Sequence, residues 1–392
     1  MNDSYDVAII GGGVIGSAVA YFLAADADFD GSVAVIERDP SYEECSTTRS
    51  AGSIRQQFST PENIAMSLFG RDFLDAAAET LAVEGETVDL GFVPRGYLFL
   101  ASEATLAALE ESHAIQTAHG ADNALLTPDE IAARFPWLSV EGVAMGSLGL
   151  SGEGWFDPAA LLHGFRKKAR ALGVTYVRDE VTGIEMAQGR VTALALGSGG
   201  RLGCGAAVNA AGPRAGRVAA LAGIDLPVTA KKRFVFVFDC RAELPDCPLV
   251  IDPAGVYFRP ESGKFIGGVS PGAEEDPDCF DLEVDYTWFD ERVWPKLAAR
   301  VEAFEAIKMA GAWAGHYDYN TVDQNAVLGP HPETPNFYFA NGFSGHGLQQ
   351  SPAAGRATAE LIVHGQYRSL DLTRLGFGRF AAGAPVREIA VV

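Results

Sequence analysis

The 392-residue chain is longer than one hydrophobic core usually supports, which predicts two domains. Its composition is 48% hydrophobic and non-repetitive, as in a globular enzyme, and no apolar run reaches the ~18 residues a membrane span needs. A formal net charge of −21 argues against nucleic acid or an anionic membrane as a partner.

The opening MNDSYD has neither the basic nor the apolar part of a secretion signal. The cysteines Cys45, Cys204, Cys240, Cys247 and Cys279 are scattered and show no C-x-x-C or metal-ligand spacing. Both features point to a reducing, cytoplasmic address.

Tyr5 to Glu37 reads as a dinucleotide-binding βαβ unit. Val7 to Ile10 is a buried strand, and Gly11, Gly13 and Gly16 follow it at G-x-G-x-x-G spacing. From Val14 and Ile15 onward the apolar residues recur every three or four positions, which predicts a helix. Gly11 permits the tight turn, Gly13 lets backbone N–H groups approach a pyrophosphate, and Gly16 lets the helix lie close on the strand. The helix N-terminus then faces phosphate charge. Glu37 ends a second strand about 20 residues beyond Gly16, where its carboxylate accepts from ribose hydroxyls and repels a phosphorylated ribose.

Residues 38–59 form a long polar loop in which Arg38, Ser46, Thr47, Arg49, Ala51, Gly52, Ser53 and Arg55 cluster. A loop of this length inside a compact domain is usually functional, and its hydroxyl and guanidinium donors suit a pyrophosphate and the edge of a heterocycle. Pro61 to Ala82 is helical by period. Val93 to Ala101 then reads as a strand, Glu103 to His119 as an amphipathic helix, and Thr127 to Leu138 as a capped short helix, an interruption that marks a second domain begun as an insertion. The first pattern returns with a helix opened by Asp157-Pro158. Strands follow, with Val181 placed to pass under an adenine, and the small run Asn209-Ala210-Ala211-Gly212 allows close cofactor approach. Residues from Leu226 to Phe304 are strand-rich again. Near the C-terminus a strand meets the loop Gly342, Phe343, Ser344, Gly345, His346, Gly347, Leu348, with Gln349 opening a helix. This second glycine-rich unit offers another helix N-terminus to an electron-rich ring edge. The expected division is 1–82, 146–225 and 311–392 for nucleotide binding, and 83–145 and 226–310 for the substrate.

Together these motifs resemble the D-amino-acid oxidase superfamily of FAD enzymes, which includes sarcosine oxidase, glycine oxidase, dimethylglycine dehydrogenase and D-arginine dehydrogenase. SIRQQFSTPENIAMSLF, WAGHYDYNTVDQNAVLGPHP and FANGFSGHGLQQSPAAGRA look most like the FAD-dependent oxidoreductase domain-containing proteins, whose mitochondrial members are linked to complex I assembly. The resemblance implies an α/β fold: a GR2-type Rossmann-like FAD-binding domain with an inserted α+β substrate domain on a mostly antiparallel sheet. It implies non-covalent FAD, since Arg55 stands about where dimethylglycine dehydrogenase has its flavin-linked histidine and no cysteine lies near Gly315. It also implies hydride transfer from a carbon beside an amine nitrogen to flavin N5, giving an imine that water hydrolyses. The small-molecule substrate is an amino acid or a secondary, N-alkyl amine.

Departures from the pattern shape the site expectations. Sarcosine oxidases carry a lysine where this chain has Gln349, so the cation for a substrate carboxylate must be Arg233 or Arg55. Tyr257 matches a substrate-contacting tyrosine of D-arginine dehydrogenase. His316 and Tyr317 stand where glycine oxidase has its carboxylate-binding arginine, and either face the substrate or pack. The lysine that oxidases hold over the flavin aligns poorly, Lys264 being one position away, which points to an acceptor other than oxygen. Two other functions stay open: a 2-hydroxy-acid dehydrogenase using His316 or His346 as base, and a flavin-bound assembly factor without catalysis.

Overall fold

The computed structural model describes residues 3–389. Its first sheet is built outward from Ser4–Ile10, which has Val33–Glu37 parallel on one side and Arg201–Asn209 parallel on the other. Thr175–Arg178 continues the parallel order beyond Val33–Glu37, and Thr334–Asn341 beyond Arg201–Asn209. Val327–His331 closes that edge antiparallel, and the hairpin of Val181–Ala187 and Arg190–Leu196 folds against Arg201–Asn209.

Both faces of this sheet are covered, so its central strands are apolar throughout. Val7, Ile9, Val33 and Val35 face a layer of helices, namely Val14–Ala25, Pro61–Thr80, Pro158–Ala171 and Gly347–His364, with Phe22, Phe73 and Phe165 at the contact. Ala8, Ile10 and Ile36 face the hairpin and the short helix Ala215–Ala220 instead. The helix starts follow from local chemistry. Asp157 Oδ1 accepts from the Ala159 and Ala160 N–H groups, and Thr127 with Glu130 forms a reciprocal capping box over Pro128–Arg134. Among the described residues no helix is long and apolar enough to cross a membrane.

The second sheet also has eight strands, in the order Lys308–Asn320, Val228–Asp239, Lys264–Val269, Val256–Glu261, Leu249–Ile251, Tyr97–Ala101, Met145–Gly149, Asn123–Leu126. Its neighbours are antiparallel except Leu249–Ile251 with Tyr97–Ala101. The period of two is plain in Val228–Asp239: Phe234, Phe236 and Phe238 pack into an aromatic core with Phe258, Phe265 and Phe304, while Arg233 and Val235 point to a cavity.

Two features differ from the sequence expectation. Met145–Gly149 and Lys308–Asn320 run in the second sheet, carrying it past the boundaries expected at 146 and 311. The strand expected over Val93 to Ala101 begins only at Tyr97, because Gly96 has φ +74° and a Cβ there would lie 2.6 Å from the Gly149 carbonyl oxygen. Val93 makes an isolated bridge to Trp155 instead.

Candidate active site

A cavity of about 580 Å³ lies between the two sheets, within the size range of small-molecule and cofactor sites. Among the residues singled out from the sequence, Gly11, Gly13, Val14, Ile15, Glu37, Arg38, Ser46, Thr47, Arg49, Ala51, Ser53, Arg55, Val181, Ala211, Gly212, Arg233, Tyr257, Gly315, His316, Phe343, Gly345, His346, Gly347, Leu348 and Gln349 line it. Gly16, Gly52, Gly342 and Ser344 stand behind the wall and shape it. A Cβ on Gly16 would lie 1.9 Å from the Gly11 carbonyl oxygen, and one on Gly52 would lie 2.4 Å from that of Phe156.

The nucleotide end has the donors a pyrophosphate needs. Gly11 holds φ +99°, and a Cβ there would meet the Ala210 carbonyl at 2.4 Å. The Val14 N–H donates to Thr47 Oγ1 at 3.2 Å, and Ser46 Oγ is buried with no hydrogen-bond partner among the described residues. A buried hydroxyl of that kind, beside a glycine turn and the N-terminus of a 12-residue helix, fits a phosphate oxygen. Glu37 accepts from the Gly12 and Asp39 N–H groups, each at 2.7 Å, and burial raises its carboxyl above the ordinary value. Two guanidinium groups of the wall also have protein partners. Arg49 donates to the Glu43 and Ala314 carbonyls and so ties the loop to the second sheet, while Arg38 pairs with Glu44.

At the other end the helix Gly347–His364 presents its N-terminus to the cavity, with Arg55 behind it. Arg55 is 3% exposed, lies 3.9 Å over the Phe58 ring, and its Nη2 is 3.2 Å from His346 Nε2. Burial and this guanidinium push His346 well below its ordinary value, so the ring is neutral. Its Nε2 therefore accepts from Arg55, which places the proton on Nδ1. Gln349 Oε1 accepts from the Arg55 backbone N–H at 2.7 Å, so the glutamine fixes the arginine loop. His316 is committed too: its Nε2 donates to the Asp281 carbonyl at 2.9 Å, and burial keeps its ring neutral. Tyr317 packs against Gly345, where a Cβ would come within 2.6 Å of the ring. Arg233 reaches the wall with both Nη atoms already on Asp276, each 2.8 Å from a carboxylate oxygen. Burial raises the Tyr257 and Tyr317 phenols, which stay protonated. Lys264 pairs with Asp239 at 2.7 Å and is not among the cavity-lining residues.

Sequence reasoning missed several wall residues, among them Tyr97, Asp318, Arg214, Arg217 and Phe280. Asp318 is the most consequential. Its Oδ2 accepts from the Gly342 N–H at 2.7 Å and the Phe343 N–H at 3.2 Å, and its own carbonyl accepts from Ser344 N–H. Ser344 Oγ in turn accepts from the Asn320 N–H. This lattice clamps the second glycine loop to Lys308–Asn320 and explains the roles of Gly342 and Ser344. Burial pushes the Asp318 carboxyl up to about 6 despite the two amide donors. An acid between Tyr317 and Tyr319, on a strand of alternating faces, was the available signal.

A nucleotide turn at one end of the chain, a helix terminus at the other, and a second sheet closing over both define a dinucleotide-dependent oxidoreductase. The model of the FAD dependent oxidoreductase family matches residues 6–361, and the chain belongs to that family. It is 46% identical to FAD-dependent oxidoreductase domain-containing protein 1 of Xenopus laevis, over 99% of this chain and 85% of that protein. It is 30% identical to glycine oxidase of Geobacillus kaustophilus, over 92% of this chain and 94% of that one. Among solved structures, L-proline dehydrogenase from P. horikoshii superimposes with a TM-score of 0.87 at 27% identity, covering 98% of this chain and all of the other. FAD is therefore the cofactor of the family, and Ser46, Thr47, Glu37 and the two glycine loops are the residues of this chain that would hold it.

Proposed function

We propose that the protein oxidises a C–N bond of an amino acid or of a secondary, N-alkyl amine, yielding an imine that water hydrolyses. FAD, when bound without a covalent link, supplies the hydride acceptor. The carrying observation is that His346, at the terminus of the second glycine loop, spends its Nε2 lone pair on Arg55 and so offers no base there, while His316 turns its Nε2 to the Asp281 carbonyl. Oxidation of a 2-hydroxy acid needs a base to take the hydroxyl proton, whereas an amine needs only to be neutral when it reacts.

The wall favours that neutral form. Burial and the Arg55 guanidinium both disfavour a second positive charge in the cavity, which pushes a bound ammonium toward the amine. The protonated phenols of Tyr257 and Tyr317 orient the nitrogen or a carbonyl oxygen by donating hydrogen bonds, and Arg233 is the anchor for a carboxylate. The N-terminus of Gly347–His364 and Arg55 stabilise negative charge that develops at that end. Related names support the reading: glycine oxidase and L-proline dehydrogenase act on amino acids by their titles.

The test is anaerobic mixing of the flavin-loaded protein with N-alkyl amino acids, primary amino acids, simple amines and 2-hydroxy acids, following loss of the oxidised flavin colour. Bleaching by an amine or amino acid is expected. Bleaching by 2-hydroxy acids alone would overturn the reading, and inertness to the whole panel would favour a non-catalytic assembly factor.

A further inference from the structure

Lys264–Val269 pairs with Phe236–Phe238 of the longer strand Val228–Asp239, leaving the first half of that strand with an edge the sheet does not use. Residues 273–285 lie along this edge as an irregular strap. The Cys279 N–H donates to the Ala230 carbonyl at 3.0 Å, and Lys231 bridges to Asp278. Charge holds the rest. Three consecutive cations of the strand each meet an aspartate of the strap: Lys231 with Asp278 at 3.0 Å, Lys232 with Asp281 at 2.7 Å, and Arg233 with Asp276 at 2.8 Å. Phe280, which lines the cavity, sits 3.7 Å under the Arg217 guanidinium.

One of the three pairs is unlike the others. The side chains of Asp278 and Asp281 are 59% and 53% exposed, and such surface pairs are worth little. Asp276 and Arg233 are 11% and 12% exposed, and two parallel N–H···O bonds join them. This is the fork by which a guanidinium holds any free carboxylate. It forms on the cavity wall, at the cation read above as the anchor for a substrate acid.

We propose that Asp276 is an internal stand-in for the carboxylate of the substrate: it occupies Arg233 in the substrate-free protein, and a ligand carboxylate exchanges with it as the strap lifts. The nature of the substrate rests on the amine-oxidation reading; the exchange itself does not. A nearly buried guanidinium left without an anion is costly, so Asp276 leaves only when another carboxylate replaces it. Every acid that binds must displace Asp276, so the pair lowers the apparent affinity for carboxylates while it is in place.

Benzoate is a suitable probe, titrated into the flavin-loaded protein and read from perturbation of the flavin absorbance. Asp276→Asn should tighten benzoate binding at least tenfold, whereas Asp278→Asn, which loosens the same strap without touching Arg233, should leave it within twofold. Unchanged or weaker binding in Asp276→Asn, or an equal gain in Asp278→Asn, overturns the proposal. Should Asp276→Asn fail to fold, the natural protein decides: saturating benzoate should speed deuterium exchange across 273–285, and unchanged or slower exchange overturns the exchange step. A protein that no amine reduces, yet whose Asp276→Asn variant gains benzoate affinity, loses the reaction assigned above and keeps the stand-in.

Discussion

Asp318→Asn isolates the cost of burying one carboxyl beneath the second glycine loop. In the flavin-free protein burial raises this group from 3.8 to about 6. Folding therefore strengthens its hold on the proton, so its contribution is most favourable below 3.8, declines as the pH rises, and levels off above about 6. A tenfold change in proton affinity is ~1.4 kcal/mol, which makes the total about 3 kcal/mol. Asparagine keeps the shape and an oxygen to accept from the Gly342 and Phe343 N–H groups, but carries no charge. Relative to the natural protein, the variant should gain about 3 kcal/mol of stability between about pH 4 and about pH 7. Glu153, a buried carboxyl pushed up to about 7, titrates in both proteins and cancels. Urea denaturation followed by tryptophan fluorescence across that range measures the difference. A flat difference, or one that favours aspartate as the pH rises, refutes the reasoning.

Gly16→Ala places a methyl group against the Gly11 carbonyl, 1.9 Å away and part of the main chain. The helix Val14–Ala25 must then lift off the strand, and we expect a loss of roughly 3 kcal/mol in stability with FAD affinity down about 100-fold, read by thermal melting and by titration of the flavin. Natural-protein affinity in this variant would mean that the helix can slide. Because His346 is already neutral, the rate of anaerobic flavin reduction should show no ionisation near the ordinary histidine value of about 6.5 that His346→Gln abolishes. A step in the natural profile that vanishes in the variant would give this ring the proton-accepting role denied it above.

What the sequence revealed was whatever is encoded over short stretches. The turn at Gly11, the helix behind it and the strand ending at Glu37 depend on spacing within one segment, as do the caps at Thr127 and Asp157. Sheet membership was harder to read. Met145–Gly149 and Lys308–Asn320 alternate as strands would in either sheet, and only their distant partners decide where they lie. The site shows the same division. His346, Gly345 and Gln349 stood out through their motif, whereas the engagement of Arg233 by Asp276, across an irregular segment, follows no spacing rule. The run Lys231-Lys232-Arg233 in so acidic a chain, set against Asp276, Asp278 and Asp281, was a complementary pattern open to inspection. Arg49 is a related case: a guanidinium in a polar loop serves a phosphate or a carbonyl equally well, and here the Ala314 carbonyl lies within its reach.

The helices Val14–Ala25 and Gly347–His364 pack so closely that a Cβ on Gly355 would lie 2.7 Å from that of Ala18. The backing of the first nucleotide turn is thus supplied by chain made more than 300 residues later. At ~5 to 20 residues per second, a ribosome takes on the order of tens of seconds to deliver it. Throughout that interval the flank of the early helix that Gly355 covers has no mate, and the cofactor wall lacks its second glycine loop.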